Sequence, residues 1–575
     1  MRRLLTYLAP YKGRMAFGLT IKTVGTLMDL VIPYILAHII DNVIETGNTP
    51  AVIFWGLVMI ISSLIAVIFN VCANRMASRV AANCIRAIRH DLFEKTLLLS
   101  SRQVDSYTVA SLESRLTSDT YNVHHMVGML QRMGVRAPLL LIGGILVTLT
   151  LDPVLTLVLL CTLPFIFFFT YYISIKGLPL FKKSQECVDG FTKVVREDAS
   201  GIRVIKALSK TEFEKDRFDK ANINASKAEK KAGLTTSLIN PIMTLLLNTG
   251  LALVILVGAH RVYDGNTGAG TIIAFMSYFT IISNALLSVS RMFIMSSKGI
   301  ASMGRIDEVL SETPELFNDN DESVAPEGKK SSHYIEFNNV SFSYGKKNAL
   351  EDISFTLEKG QTLGIIGATG SGKTSLINLL MRFYDVKEGE IILDGKNVKD
   401  HPTKKLRQKF GIVFQNDFLF ADKISENVKF GRDISDDEVE KALSLAQASE
   451  FVSSYDDKSD HELEIKGANL SGGQKQRLLI ARALADSPEI LILDDSSSAL
   501  DYKTDSLLRK ALANNLTDST VIIVAQRISS IMHADLILVL DEGRIIGKGT
   551  HEELISSCPI YSQISESQMG GMLVE

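Results

Sequence analysis

Gly367-Ala368-Thr369-Gly370-Ser371-Gly372-Lys373-Thr374 fits the pattern G-x-x-x-x-G-K-S/T, and its flanks suit it. An apolar strand, Thr362 to Gly367, leads in and a helix beginning at Ser375 leads out. That order is what a phosphate-cradling loop requires. Glycines let the backbone curl so that amide N–H groups point inward, and the helix N-terminus adds its positive pole. Lys373 is placed to reach β- and γ-phosphates, and Thr374 to ligate Mg²⁺. Further on, Ile490-Leu-Ile-Leu-Asp494 reads as a buried strand ending in a carboxylate, the expected second magnesium element.

Between these motifs lies Leu470-Ser471-Gly472-Gly473-Gln474, a serine and two glycines opening the helix Lys475 to Ala485. This is a second anion-binding nest. One nucleotide hardly needs two nests in one domain. The second is therefore expected to hold the γ-phosphate of ATP bound by a facing domain. Around both motifs, from residue 334 onward, short apolar runs alternate with helical stretches, which predicts an α/β domain with a parallel sheet and helices on its faces.

The N-terminal half has a different texture. The chain has 575 residues, 46% hydrophobic and 22% charged, which is most simply met by segregating a membrane half from a soluble half. Spanning a bilayer as a helix takes about 20 apolar residues. Six stretches qualify, roughly 15–39, 51–73, 128–150, 153–175, 238–260 and 270–297. The linkers 74–127 and 176–237 are long, basic and helical in pattern, so they are expected as cytoplasmic extensions of the membrane helices, with both termini on the same side. No small-residue cleavage site follows Met1 to Arg14, so the first apolar stretch is expected to stay as an anchor. Residues 311–332, with two prolines and clustered acids, mark the boundary. The expected division is 1–312 membrane domain, 313–333 linker and 334–575 nucleotide-binding domain. A net charge of −3 gives no reason to expect nucleic acid as a partner, and the cysteines Cys72, Cys84, Cys161, Cys187 and Cys558 lack metal or disulfide spacing. Within the apolar spans, Lys22, Asp29 and Arg291 are the ionisable residues that mark a candidate substrate cavity.

Both halves resemble the ATP-binding cassette (ABC) transporters: residues 334 to about 560 their nucleotide-binding domain, with its LSGGQ signature, and residues 1 to about 312 the six-helix domain of the exporter branch. The resemblance implies that Tyr344 stacks on adenine and that Gln415 senses Mg²⁺. It also implies that Ser498 to Asp501 forms the loop communicating across a dimer, and that Val104 to Leu116 and Lys210 to Phe218 carry two short coupling helices. The ATP-binding set is then Tyr344, Gly367, Ala368, Thr369, Gly370, Ser371, Gly372, Lys373, Thr374 and Ser375, with Thr374, Gln415 and Asp494 toward the metal. The sequence departs from the family at two catalytic positions. Asp495 stands where active members have a glutamate, and Gln526 where they have a histidine. Ile465 also replaces an acid before the signature. The pattern resembles one subunit of a heterodimeric multidrug-type exporter, whose partner chain carries the intact glutamate and histidine. The expected setting is a bacterial plasma membrane, with lipid and a small amphipathic substrate as the other partners. An importer on this scaffold, and a homodimer hydrolysing slowly through Asp495, are the alternatives.

Overall fold

The computed structural model describes residues 1–316, 333–345, 347–496 and 498–569. They form two compact units, Met1–Leu97 with Ala110–Glu312, and Leu98–Val109 with Thr313–Glu575. Most of the expected linker, 317–332, lies outside the described residues.

In chain order the principal helices up to Ser311 are α1 (Lys12–His38), α2 (Thr49–Leu98), α3 (Ser101–Tyr107), α4 (Thr120–Met133), α5 (Arg136–Leu151), α6 (Pro153–Ala207), α7 (Thr211–Ser237), α8 (Ile239–Tyr263) and α9 (Ala269–Ser311). All but α3 build the first unit. Among the described residues, five helical segments are long and apolar enough to cross a membrane, with Pro153–Phe169 a shorter apolar helix. At 1.5 Å per residue, the 50 residues of α2 and the 55 of α6 far exceed a bilayer core, so both carry long polar extensions. Phe54, Ile60, Leu64, Phe165, Phe168 and Leu256 stand exposed along these helices, a surface suited to lipid. Leu30, Leu159, Ile166, Tyr278, Phe279 and Ile282 pack inside.

The connections are fixed by acids. Asp152 caps α6, accepting from the Val154 and Leu155 amides, with Pro153 at the first helical position. Its other oxygen takes Arg261 Nε of α8 at 2.8 Å, so this nearly buried carboxylate has a charged partner. Asp41 likewise accepts from the Gly270 and Thr271 amides, tying the first connection to the start of α9. Lys210 to Phe218, expected to carry a short helix, is helical from Thr211 on, where it forms the opening turns of the 27-residue α7 rather than a separate short helix.

The second unit holds two sheets. Strands β1 (Ile335–Phe342), β2 (Leu350–Leu357), β4 (Glu388–Leu393) and β5 (Lys396–Asn397) form an antiparallel sheet in the order β2-β1-β4-β5. The larger sheet runs β10-β9-β3-β8-β7-β6, with β3 (Thr362–Gly367), β6 (Phe410–Val413), β7 (Ile490–Asp494), β8 (Thr520–Val524), β9 (Leu536–Asp541) and β10 (Arg544–Gly549). All its pairings are parallel except β9 with β10. Helices α10 (Lys373–Leu380), α11 (Gly472–Leu484), α12 (Tyr502–Asn515) and α13 (Pro559–Met569) follow in sequence. Every residue of β7 is buried, as a continuous apolar strand covered on both faces should be. A separate core gathers Leu419, Val428, Leu443 and Leu478, where short helices including Ile424–Lys429 and Asp436–Leu445 pack on α11. Helix α3 belongs to this unit. A capping box joins Ser100 and Gln103, Gln103 donates to the Thr313 carbonyl at 2.8 Å, and Tyr384 Oη donates to Asp105 at 2.8 Å.

Candidate functional site

The loop 368–372 leaves β3 at its carboxyl end, and β3 has β8 and β9 as neighbours. β7 lies beyond β8, so Asp494 and the Asp495–Gln526 region reach the same edge from strand ends far apart in sequence. Ligands on open α/β sheets bind at such carboxyl ends.

The loop needs its glycines. Gly370 (φ +85°) and Gly372 (φ +99°) are in left-handed conformations that a side chain would strain. A Cβ on Gly372 would also lie 2.8 Å from the Ala349 carbonyl oxygen. Lys373 Nζ donates to the Gly367 and Ala368 carbonyls, both at 2.8 Å, so the ammonium rests against the loop's inner rim. Burial lowers its pKa, and the Asp494 and Asp495 charges push it back up. Ser371 is almost fully buried, and its Oγ has no hydrogen-bond partner. A buried hydroxyl left this way costs stability unless a ligand oxygen meets it.

Thr374 Oγ1 donates to Asp494 Oδ2 at 3.0 Å. With the Gln415 amide they offer a set of oxygen donors suited to a hard cation such as Mg²⁺. Burial raises the Asp494 pKa, and Asp495 adds to the effect, while Thr374 and Lys373 oppose it. Next door, Gln526 Nε2 donates to Asp495 Oδ2 at 2.8 Å. Asp495 itself is left-handed (φ +52°) and its amide bonds the Val524 carbonyl, so the carboxylate is fixed at both ends. Burial raises its pKa, partly offset by Gln526, Lys373 and Arg527.

A cleft of about 320 Å³ joins Tyr344, Thr369, Gly370, Gly372, Lys373, Thr374, Ser375, Gln415, Asp494, Asp495 and Gln526. Tyr344 is exposed at its mouth, edge-on to Phe342 and Tyr384. Leu470 to Gln474 do not line this cleft. There Ser471 caps α11, its Oγ accepting from the Gln474 amide while the Gln474 side chain accepts from the Ser471 amide. Asp501 caps α12, accepting from the Thr504 amide and hydroxyl. One participant carried no sequence signal. Gln568, at the end of α13, accepts from the Ile528 amide (2.8 Å) and donates to the Gln526 carbonyl (2.9 Å), bracing the backbone of the Gln526 loop.

In the first unit, Lys22 and Asp29 are not partnered with each other. Lys22 Nζ donates to Asn74 Oδ1 at 3.0 Å, and Asp29 accepts from Arg136 (3.2 Å) and Asn70 (3.3 Å). Arg291 is exposed, with no hydrogen bond or ion pair among the described residues.

Comparison with known proteins agrees with this geometry. Residues 15–286 match the ABC transporter transmembrane region family, and residues 350–498 the ABC transporter family. The uncharacterized ABC transporter ATP-binding protein YfiB of Bacillus subtilis is 35% identical, covering 99% of this chain and 99% of its own. The uncharacterized ABC transporter ATP-binding protein Rv1273c of Mycobacterium tuberculosis is 33% identical, over 98% of this chain and 97% of its own. Among solved structures, a bacterial Atm1-family ABC exporter with ATP bound superposes with a TM-score of 0.79 at 24% identity, covering 97% of this chain and 99% of that one. The chain belongs to the ABC transporters: an exporter-fold membrane region fused to an ABC ATPase domain, which makes it a membrane-embedded, ATP-driven translocase.

Proposed function

We propose that this chain is one subunit of a heterodimeric exporter that moves an amphipathic compound, drug-like or lipid, across a bacterial plasma membrane, and that its own ATPase site is impaired. The observation that carries the impairment is the Gln526–Asp495 hydrogen bond. Both catalytic departures from the family sit in this one contact, each occupying the other. A carboxylate one methylene short falls about 1.5 Å away from where a glutamate would place it. Glutamine can donate a hydrogen bond but cannot shuttle a proton.

The rest of the cleft is suited to binding. Tyr344 offers a ring to adenine, the 368–372 amides and Lys373 hold the phosphates, and buried Ser371 Oγ can meet a phosphate oxygen. Thr374, Asp494 and Gln415 hold Mg²⁺, which when bound neutralises charge on the β- and γ-phosphates. ATP then stays at this site as a clamp across the dimer, since a ligand bound only in the closed state stabilises that state. Ser471 to Gln474, outside this cleft, complete the partner's competent site, whose glutamate and histidine do the hydrolysis. Asp501 lies on the loop between the two. On this reading residues 1–312 form the six-span membrane domain and 334–575 the ATPase domain, with both termini in the cytoplasm.

The test is nucleotide content after a single turnover of the purified dimer, with photo-crosslinking by 8-azido-ATP to assign each nucleotide to a chain. The expected result is ADP on the partner and intact ATP on this chain. ADP on both would favour two working sites, as in a homodimer using Asp495.

A further inference from the structure

Three arginines of the first unit converge on one cavity. On α2, Asn74, Arg75, Ser78 and Arg79 fall one turn apart along a single face. With Val71 and Arg132 of α4 they line a space of about 690 Å³, and no carboxylate lines it. Arg75 and Arg79 make no hydrogen bond or ion pair among the described residues, and Arg132 has only the Ser78 hydroxyl, at 3.3 Å.

A fourth cation stands behind them. Lys22 of α1 is 2% exposed, and its hydrogen-bond partner is Asn74, a neutral side chain of the cavity wall. The two helices approach closely because Gly18 and Gly25 face α2. A Cβ on Gly25 would lie 3.1 Å from Phe69 Cβ and 3.3 Å from the Asn70 amide nitrogen. Asp29, seven residues on, accepts from Arg136 and Asn70, so its one negative charge is shared between Arg136 and Lys22. Asn70 Oδ1 and Arg136 Nε remain buried without partners, so the surrounding polar network has unused capacity.

A buried ammonium whose hydrogen-bond partner is an amide, with the Arg132 and Arg136 guanidiniums near it and the Asp29 carboxylate as the one nearby opposite charge, is expensive within an apolar span. Such a cluster is best explained by an anion that completes it. Planar guanidinium forks match phosphate, sulfonate and carboxylate oxygens in pairs. The apolar stretch 51–73 leads directly into the cluster on the same helix and offers a surface for an alkyl tail.

We propose that this cavity receives the anionic group of an amphipathic substrate, an inference that rests on the exporter reading above. Two sources share that chemistry, a free amphiphile and an acidic lipid headgroup. The test uses the full chain in phosphatidylcholine nanodiscs without ATP, titrated with octyl phosphate and, separately, with octyltrimethylammonium. Octyl phosphate is expected to bind, and Arg75→Gln and Arg132→Gln each to weaken it roughly tenfold. Arg75→Lys keeps the charge and should lose less, and the octyltrimethylammonium signal should not respond to any variant. Repeating the titration in discs containing phosphatidylglycerol separates the sources. Competition assigns the site to a lipid headgroup, undiminished binding to a free amphiphile, and either upholds the anion site. Octyl phosphate affinity unchanged in both glutamine variants, with Tm and ATP binding as in the parent chain, overturns it. Because Arg75 and Arg79 are exposed, Arg79→Gln serves as the substitute if another variant misfolds. Arginine-dependent binding without any transport would sink the exporter reading alone, whereas transport indifferent to these arginines would sink this one.

Discussion

Replacing Asp495 with glutamate and Gln526 with histidine together should restore hydrolysis at the Lys373 site. In the present arrangement Gln526 Nε2 holds Asp495 Oδ2 at 2.8 Å, and the Asp495 amide is pinned to Val524. The carboxylate therefore cannot advance without an added methylene, worth about 1.5 Å of reach. Misplacement of a reacting group by about 1 Å costs on the order of a hundredfold in rate, equal to about 2.7 kcal/mol of barrier. A positioned proton carrier contributes a similar factor, about 10²-fold or more. The double variant should thus gain at least a hundredfold over the parent chain. Asp495→Glu alone should gain less, because Gln526 still occupies the carboxylate. A cost accompanies the change. Asp495 sits at φ +52°, a region glutamate tolerates less well than aspartate, so a stability loss of about 1 kcal/mol is expected. The assay is phosphate release by the full-length chain in nanodiscs, paired with a partner whose catalytic glutamate is replaced by glutamine. A double variant that binds ATP normally yet hydrolyses no faster than the parent would refute the reasoning.

Three further outcomes are expected. Lys373→Ala removes the cation and its bonds to the Gly367 and Ala368 carbonyls; at about 1.5–3 kcal/mol for a charged hydrogen bond, ATP affinity should fall roughly a hundredfold in a fluorescent-nucleotide titration. Gln568→Ala deletes two bonds to the Gln526–Ile528 backbone, about 1 kcal/mol each, so hydrogen exchange at the Ile528 amide should quicken some tenfold while Tm scarcely moves. Burial holds the Asp494 and Asp495 carboxyls above the ordinary value of 3.8. Folding thus favours their protonated form. Their contribution to stability is complete below that ordinary value and is lost as pH rises through their raised folded-state values. Mg²⁺-ATP needs Asp494 ionised, so its affinity should drop on acidification toward that window, while ATP binding in EDTA should change less.

The two halves of the chain were legible for different reasons. Gly367 to Thr374 and Leu470 to Gln474 are local motifs whose glycines and caps carry their own conformation, so their geometry could be read directly. Apolar stretches near 20 residues long announced the membrane helices, and the gap of two residues between stretches 128–150 and 153–175 left room only for a tight turn, which Asp152 and Pro153 make by cap and proline one residue apart. The strand order was not legible. The motif paired Asp494 with Thr374, but nothing local says that β7 reaches the loop from beyond β8, or that a separate antiparallel sheet forms from β1, β2, β4 and β5. Lys22 finding Asn74, 52 residues away, and Gln568 bracing Gln526 are tertiary contacts without a periodic signature. The seven-residue spacing put Lys22 and Asp29 on one face, but that spacing could not show that each would find its partner on another helix.

The central claim is that the two ATP sites of the dimer are unequal and that this chain's Lys373 site is the idle one. The most direct measurement compares steady-state ATP hydrolysis of the assembled dimer carrying Asp495→Ala with that of the dimer carrying alanine at the partner's catalytic glutamate. The account predicts that the partner substitution abolishes turnover while Asp495→Ala leaves it nearly intact. Loss of turnover with Asp495→Ala, or robust hydrolysis by this chain alone that depends on Asp495, would contradict it.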